Sequence, residues 1–199
     1  SNLSGCIPGI FIRNLIGLSC ENEHKYDIAM SSFNVRCRVY SIASCICIAV
    51  VTGFIPAASY AHASKNDKRF FKLSFHACWI NFAWCCLVTI LALTIPRQIA
   101  SIFGSDPEYL DSAEPSLRNS NYAGVVRWIG FNSQGMLQSL QNGTLAMIVS
   151  VMSNFIGFLL FAYLLYYTNK HNVIRLMLLY SYTLIFGAVI GVALLAYPL

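Results

Sequence analysis

Charge is what this sequence has least of. Of its 199 residues only 11% are Asp, Glu, Lys or Arg, whereas 57% are hydrophobic, and the mean hydropathy is +0.60. Soluble domains carry about 25% charged residues, so a water-soluble core is a poor explanation of the chain. The apolar/polar alternation of a membrane barrel is missing too. No C-x-x-C pair occurs, and His24, His62, His76 and His171 are scattered without zinc-ligand spacing. There is no H-E-x-x-H, no G-x-S-x-G, no pair of intramembrane acids and no phosphate-cradling glycine loop, so an enzyme is not expected. A low-complexity linker is lacking, which leaves one domain over residues 1–199. The first segment has neither a basic leader nor a clean small-x-small site, so it does not read as a signal peptide. An initiator Met is absent, which raises the expectation of a fragment.

Long uncharged runs fill the space that charge leaves. Leu73–Ile95 has 23 residues without formal charge, Gly143–Thr168 has 26, Leu176–Tyr197 has 22 and Val39–Ala58 has 20. A bilayer core of roughly 30 Å needs about 20 helical residues, so each can span. Asn119–Leu137 is a fifth run, interrupted by Arg127, and Ser4–Ser19 a weaker sixth, interrupted by Arg13. The expectation is an all-α, polytopic transmembrane bundle of about six helices, with spans near 5–19, 37–58, 72–96, 116–138, 143–168 and 173–197. That makes a multi-pass integral membrane protein whose first partner is the lipid bilayer.

The net charge of +5 is concentrated. Lys65, Lys68, Arg69 and Lys72 crowd one short loop, which the positive-inside rule places in the cytoplasm. The loop Arg97–Arg118 carries Asp106, Glu108, Asp111 and Glu114 and belongs on the other side. The Lys170/His171/Arg175 connection then falls outside, against the rule. Thirteen cations spread over six spans make no basic face, so no nucleic-acid partner is expected. Six of the eight Cys lie in or beside apolar runs, where Cys serves as a small hydrophobe; no metal or other cofactor is implied. Connections at 20–27 ("CENEHKYD"), 138–143 ("QSLQNG") and 168–172 ("TNKHN") are short and polar, as between antiparallel neighbours. Ile99, Ile102 and Phe103 have the spacing of a short interfacial helix. Gly187-x-x-x-Gly191 permits close backbone approach, either inside this bundle or at a dimer seam.

The stretch "GFIPAASYAHASKNDKRF", residues 53–70, passes from apolar helix to cationic exit through a proline. Pro56 has no N–H and frees a carbonyl that must find another partner in lipid. Gly53, Ala57, Ala58, Ala61 and Ala63 narrow the helix there, beside Ser59 and Tyr60. Two readings stand: a kink that fits neighbour packing, or a hinge of the kind that borders a transport cavity.

Gly53, Pro56, Ser59, Tyr60, Asn66 and Arg69 match a pattern in the multidrug and toxic compound extrusion (MATE) family, at the cytoplasmic end of the second helix of the C-terminal lobe. Ala61, His62, Ala63 and Ser64 depart from it. "YDIAMSSFNVRCRVYSI" resembles the entry to that helix, "IASIFGSDPEYLDSA" the phrase before the lobe's fourth helix, and "SLRNSNYAGVVRWIGFNSQGMLQSLQNG" that helix and its exit. The resemblance covers about residues 5–190. It implies one six-helix lobe of a twelve-helix transporter, with the N-terminal lobe missing or replaced by a second copy. It also implies antiport, in which organic cations or other amphipathic compounds leave as H+ or Na+ enters. A non-transporting half-transporter or scaffold, or a flippase of the same superfamily for lipid-linked substrates, stands beside that reading.

Polar residues at membrane depth are the candidates for a substrate cavity. Arg127 has no acid near it in sequence, and burying it unpaired costs about 2.5–3.5 kcal/mol on insertion scales; it faces a cavity or snorkels to a surface. Asn121, Trp128 and Asn132 are spaced by seven and four, so amides and an aromatic share one expected helix face. Tyr122 and Gln134 flank them; Asn81 and Asn154 lie in the third and fifth spans. Either these amides bond between helices or they line a small-molecule site. All eight acids, Glu21, Glu23, Asp27, Asp67, Asp106, Glu108, Asp111 and Glu114, sit at segment ends or in loops. A coupling carboxylate is therefore expected on the missing lobe, and no ion ligand can be named.

Overall fold

The computed structural model describes residues 3–19, 23–168 and 177–196. Among the described residues nine α-helices follow one another: α1 (Leu3–Ser19), α2 (Glu23–Ala63), α3 (Asp67–Thr94), α4 (Pro96–Ser101), α5 (Pro107–Asn121), α6 (Arg127–Ser139), α7 (Gly143–Val151), α8 (Phe158–Thr168) and α9 (Leu178–Leu195). A 3-10 turn, Gly124–Val126, joins α5 to α6, and a π turn, Met152–Gly157, joins α7 to α8. No strand occurs among the described residues. Cys20, and the 168–172 connection beyond Thr168 with Lys170, His171 and Arg175, lie outside what is described.

Among the described residues four helical stretches are long and apolar enough to cross a bilayer: Glu23–Ala63, Asp67–Thr94, Gly143–Thr168 and Leu178–Leu195, with a shorter apolar stretch at Gly9–Leu18. Two expectations need correction. The helix that carries the second span runs beyond 37–58, because Glu23 opens a helix of 41 residues and most of the expected polar gap at 20–27 is helical. Its residues continue the same register without a Gly or Pro to stop them before Gly53. The fourth span, 116–138, is not one helix. α5 ends at Asn121 and α6 starts at Arg127, with the chain turned between them.

Side-chain chemistry explains that break. An alanine Cβ at Gly124 would sit 2.5 Å from Thr89 Oγ1 on α3, so only glycine lets the chain approach there. The broken ladder is mended by Ser181 on α9. Its hydroxyl donates to the Asn119 carbonyl at 2.7 Å and accepts from the Ala123 N–H at 3.4 Å. Irregular backbone at membrane depth survives only where the freed groups find such partners.

Elsewhere the helices meet through small residues, as expected where lipid removes the hydrophobic incentive to associate. Gly135 on α6 fits against Val51 and Phe54 on α2. Gly187 and Gly191 face Ser153 and Ser133, so this pair packs inside the bundle. Cys47 and Cys85 touch, Sγ to Sγ at 3.6 Å, between α2 and α3. Trp84 Nε1 donates to the Ala43 carbonyl at 2.9 Å. A separate apolar cluster binds α1 to α2, α8 and α9 through Ile12, Leu15, Ile16, Phe33, Phe158 and Leu179. The outer face of α3 exposes Phe71, Phe75, Trp79, Ile80, Leu87 and Ile90, as a lipid-facing surface does.

The connections are tight. Asn66 caps α3 by accepting from the Arg69 N–H at 3.2 Å, and Lys65 takes a left-handed φ of 52° to make the turn. Gln141 does the same at 60° after α6. In the acidic loop, Arg97 meets Asp111 at 3.2 Å and Glu114 at 3.7 Å, tying the end of α3–α4 to α5. α4 stops at Ser101, so Ile102 and Phe103 lie past the short helix expected to contain them.

Candidate functional site

One face of α2 carries Phe33, Arg36, Cys37, Tyr40, Ser41, Ser44 and Ile48, separated by ones, threes and a four. That spacing aligns them along one stripe of a helix. The stripe forms a wall of a cavity of about 470 Å³. α6 supplies Arg127, Gly130, Phe131 and Gln134. The π turn supplies Ser153 and Asn154, and α9 supplies Tyr180, Thr183, Leu184 and Gly187. The π turn therefore borders the cavity, and the 3-10 turn ends one residue before Arg127, which lines it. The break before α6 puts Arg127 in the first position of that helix, and the π turn re-aims Asn154.

Two arginines dominate the site. Arg127 is 4% exposed and Arg36 is 6% exposed. The guanidinium carbons lie 5.0 Å (Arg36) and 4.8 Å (Arg127) from the centroid of one ring, Tyr40. Arg36 also lies 3.1 Å from the Tyr180 centroid. Arg127 Nη2 donates to Asn121 Oδ1 at 3.3 Å, while its Nε is buried with no hydrogen-bond partner. Arg36 Nη1 approaches Cys37 Sγ at 3.9 Å. Neither arginine forms an ion pair among the described residues; the carboxylates that do, Glu108, Asp111 and Glu114, sit on α5. Among the described residues no Asp or Glu lines the cavity. Sharing one ring at such distances keeps the two cations within about 10 Å, where they repel by roughly 2 kcal/mol at an effective dielectric near 20.

The candidate residues separate into groups. Arg127, Gln134 and Asn154 line the cavity. Asn121 stands behind Arg127 as its hydrogen-bond partner. Asn81 and Asn132 are buried and bond to each other at 3.0 Å across α3 and α6. Trp128 packs edge-on against Phe82 at 5.8 Å, and Tyr122 is 60% exposed. The shared face expected for Asn121, Trp128 and Asn132 is thus corrected: the turn at 122–126 resets the register between the first and the other two. α2 remains helical through Gly53, Pro56, Ser59 and Tyr60, which lie outside the cavity wall. Arg36, Tyr40 and Tyr180 escaped the reading of the sequence; the stripe spacing on α2 was the signal that could have found the first two. A second concavity, about 660 Å³, is lined by Phe155, Ile156, Leu159, Leu160, Tyr163, Leu164 and Tyr167, and has no charged group.

Comparison with known proteins agrees with this architecture. A family model described as MatE matches residues 24–164. No curated protein matches the sequence. An outward-facing multidrug resistance MATE family transporter of the MOP superfamily superposes with a TM-score of 0.82 at 16% identity, covering 95% of this chain and 41% of that one. A MATE protein in the straight conformation gives 0.82 at 14% identity, covering 99% and 42%. A MOP superfamily transporter from Pyrococcus furiosus, described as having a binding pocket of reverse polarity that suggests a different function, gives 0.80 at 16% identity, covering 98% and 42%. At such identities the likeness shows the fold. The chain spans less than half the length of each of these structures.

Proposed function

The chain belongs to the MatE family, and on that premise we propose that it is one lobe of a secondary active exporter of amphipathic organic compounds. The observation that carries this reading is the cavity itself. The membrane-length stretches Glu23–Ala63 and Gly143–Thr168 bring Arg36 and Asn154, and the shorter α6 brings Arg127 and Gln134, to a shared interior of about 470 Å³. The π turn borders it and the break between α5 and α6 delivers Arg127 to it, and discontinuous helices beside a site suit alternating access. The partner is an N-terminal lobe or a second copy of this chain. Rocking of one against the other would expose the cavity to each side in turn. The coupling ion is H+ or Na+, with its carboxylate on the partner, because no acid among the described residues lines this cavity. Bending would fall at Gly53, Pro56, Ser59 and Tyr60. Support comes from the N–H that Pro56 lacks and from the open space around Gly53, where an added Cβ meets nothing.

The same lack of a cavity acid favours a second reading, a non-transporting scaffold that only associates in the membrane. Dye accumulation separates the two. Cells expressing the complete reading frame that carries residues 1–199 should hold less of an amphipathic dye than vector controls. Collapsing the proton and sodium gradients should remove the difference. Equal accumulation for anionic, neutral and cationic dyes alike would refute the exporter and leave the scaffold.

A further inference from the structure

The transport reading leaves the charge of the cargo open, and the cavity speaks to it. We propose that Arg36 and Arg127 form a binding site for an oxyanion group, so that the cavity takes amphipathic organic anions: a carboxylate, sulfonate or phosphate ester joined to an apolar body. This rests on the transporter reading for its role and on geometry alone for its chemistry.

Both guanidinium groups are more than nine-tenths buried. A buried cation is costly unless it is paired, and neither has a carboxylate partner among the described residues. Tyr40 and Tyr180 lie against them. An aromatic face offers attraction to a cation but not the lone pairs that five N–H donors per arginine require. Arg127 Nε has no acceptor at all. An oxyanion supplies what is missing, and the guanidinium fork matches it with two parallel hydrogen bonds. The rest of the wall fits an apolar body: Phe33, Phe131, Phe158 and Leu184 line the same cavity. A cationic cargo would add a third positive charge beside two that already repel.

The test measures binding rather than transport, on the purified complete product that carries residues 1–199. Calorimetric titration compares 2-naphthalenesulfonate with 2-naphthyltrimethylammonium, which share an aromatic body and differ in sign. Parallel titrations use inorganic phosphate, and mixed micelles containing phosphatidylglycerol or phosphatidylcholine. The sulfonate should bind and the ammonium should not. Arg127→Gln and Arg36→Gln should each weaken the sulfonate by about 10-fold or more, as the loss of a charge-assisted bidentate contact does. Arginine-dependent binding of phosphatidylglycerol alone would assign the oxyanion to a lipid head group and still uphold the site. If the glutamine variants lose helicity, Arg127→Lys and Arg36→Lys replace them; these keep charge but lose the fork, and a loss of several-fold is expected. Preference for the ammonium, or sulfonate binding that ignores both arginines, overturns the proposal. Those results would leave dye export untouched, and a failure of export would leave arginine-dependent binding untouched.

Discussion

Replacing Ser181 by alanine tests whether the break between α5 and α6 is held from α9. The change removes one hydroxyl and almost no volume, so no cavity term enters. It takes away the acceptor of the Ala123 N–H and the donor at 2.7 Å to the Asn119 carbonyl. Ala123 is only 7% exposed, so water does not readily replace the hydroxyl. Orphaning a buried backbone group costs about 1–3 kcal/mol. The 3.4 Å length of the Ala123 contact places this case toward the lower end, at about 1–2 kcal/mol. For a chain of this size each kcal/mol moves the melting midpoint by about 2–4 °C, so a fall of about 2–8 °C is expected. The assay is a far-UV dichroism melt of the detergent-solubilised protein. Ser74→Ala is the control, because Ser74 Oγ is buried with no partner and its removal orphans nothing. Midpoints for the two variants within a degree of each other would refute the claim that Ser181 mends the break.

Further consequences concern the packing around the cavity. Asn81→Leu and Asn132→Leu should each destabilise, and the double variant should lose less than the sum, with a coupling of about 0.5–1.5 kcal/mol in a double-mutant cycle; strict additivity would deny the α3–α6 hydrogen bond. Gly135→Ala places a Cβ 2.6 Å from Val51 Cγ1 and should cost about 1–3 kcal/mol by overpacking. Val51→Ala in the same chain should restore half or more of that loss, measured as the melting midpoint, and no rescue would refute the α2–α6 contact.

The membrane class was legible because it depends on run length alone: no soluble helix explains 26 uncharged residues at Gly143–Thr168. The Gly187/Gly191 pair was legible in kind, since small residues four apart invite close packing, but Ser153 and Ser133 as its partners were not. The break at 122–126 was hidden because Gly124 looks like any membrane glycine until Thr89 is placed against it. Arg36 was hidden for a different reason. Expecting the helix to start near residue 37 made it a charge at the membrane surface, whereas α2 begins at Glu23 and carries it to a buried wall. Arg127 stood out because apolar sequence surrounds it. Asn121, Trp128 and Asn132 were read as one face since periodicity assumes an unbroken helix, and the chain there is turned.

The central claim is that polar residues of the membrane helices surround an aqueous interior while α3 faces lipid. Single cysteines answer it most directly, placed at Gln134, Asn154, Trp79 or Ile80 in a protein whose native cysteines are replaced. A charged, membrane-impermeant thiol reagent applied to opened vesicles should label positions 134 and 154 and leave 79 and 80 to a lipid-soluble maleimide. The opposite pattern, with 79 and 80 open to the charged reagent and 134 and 154 closed to it, would contradict the account.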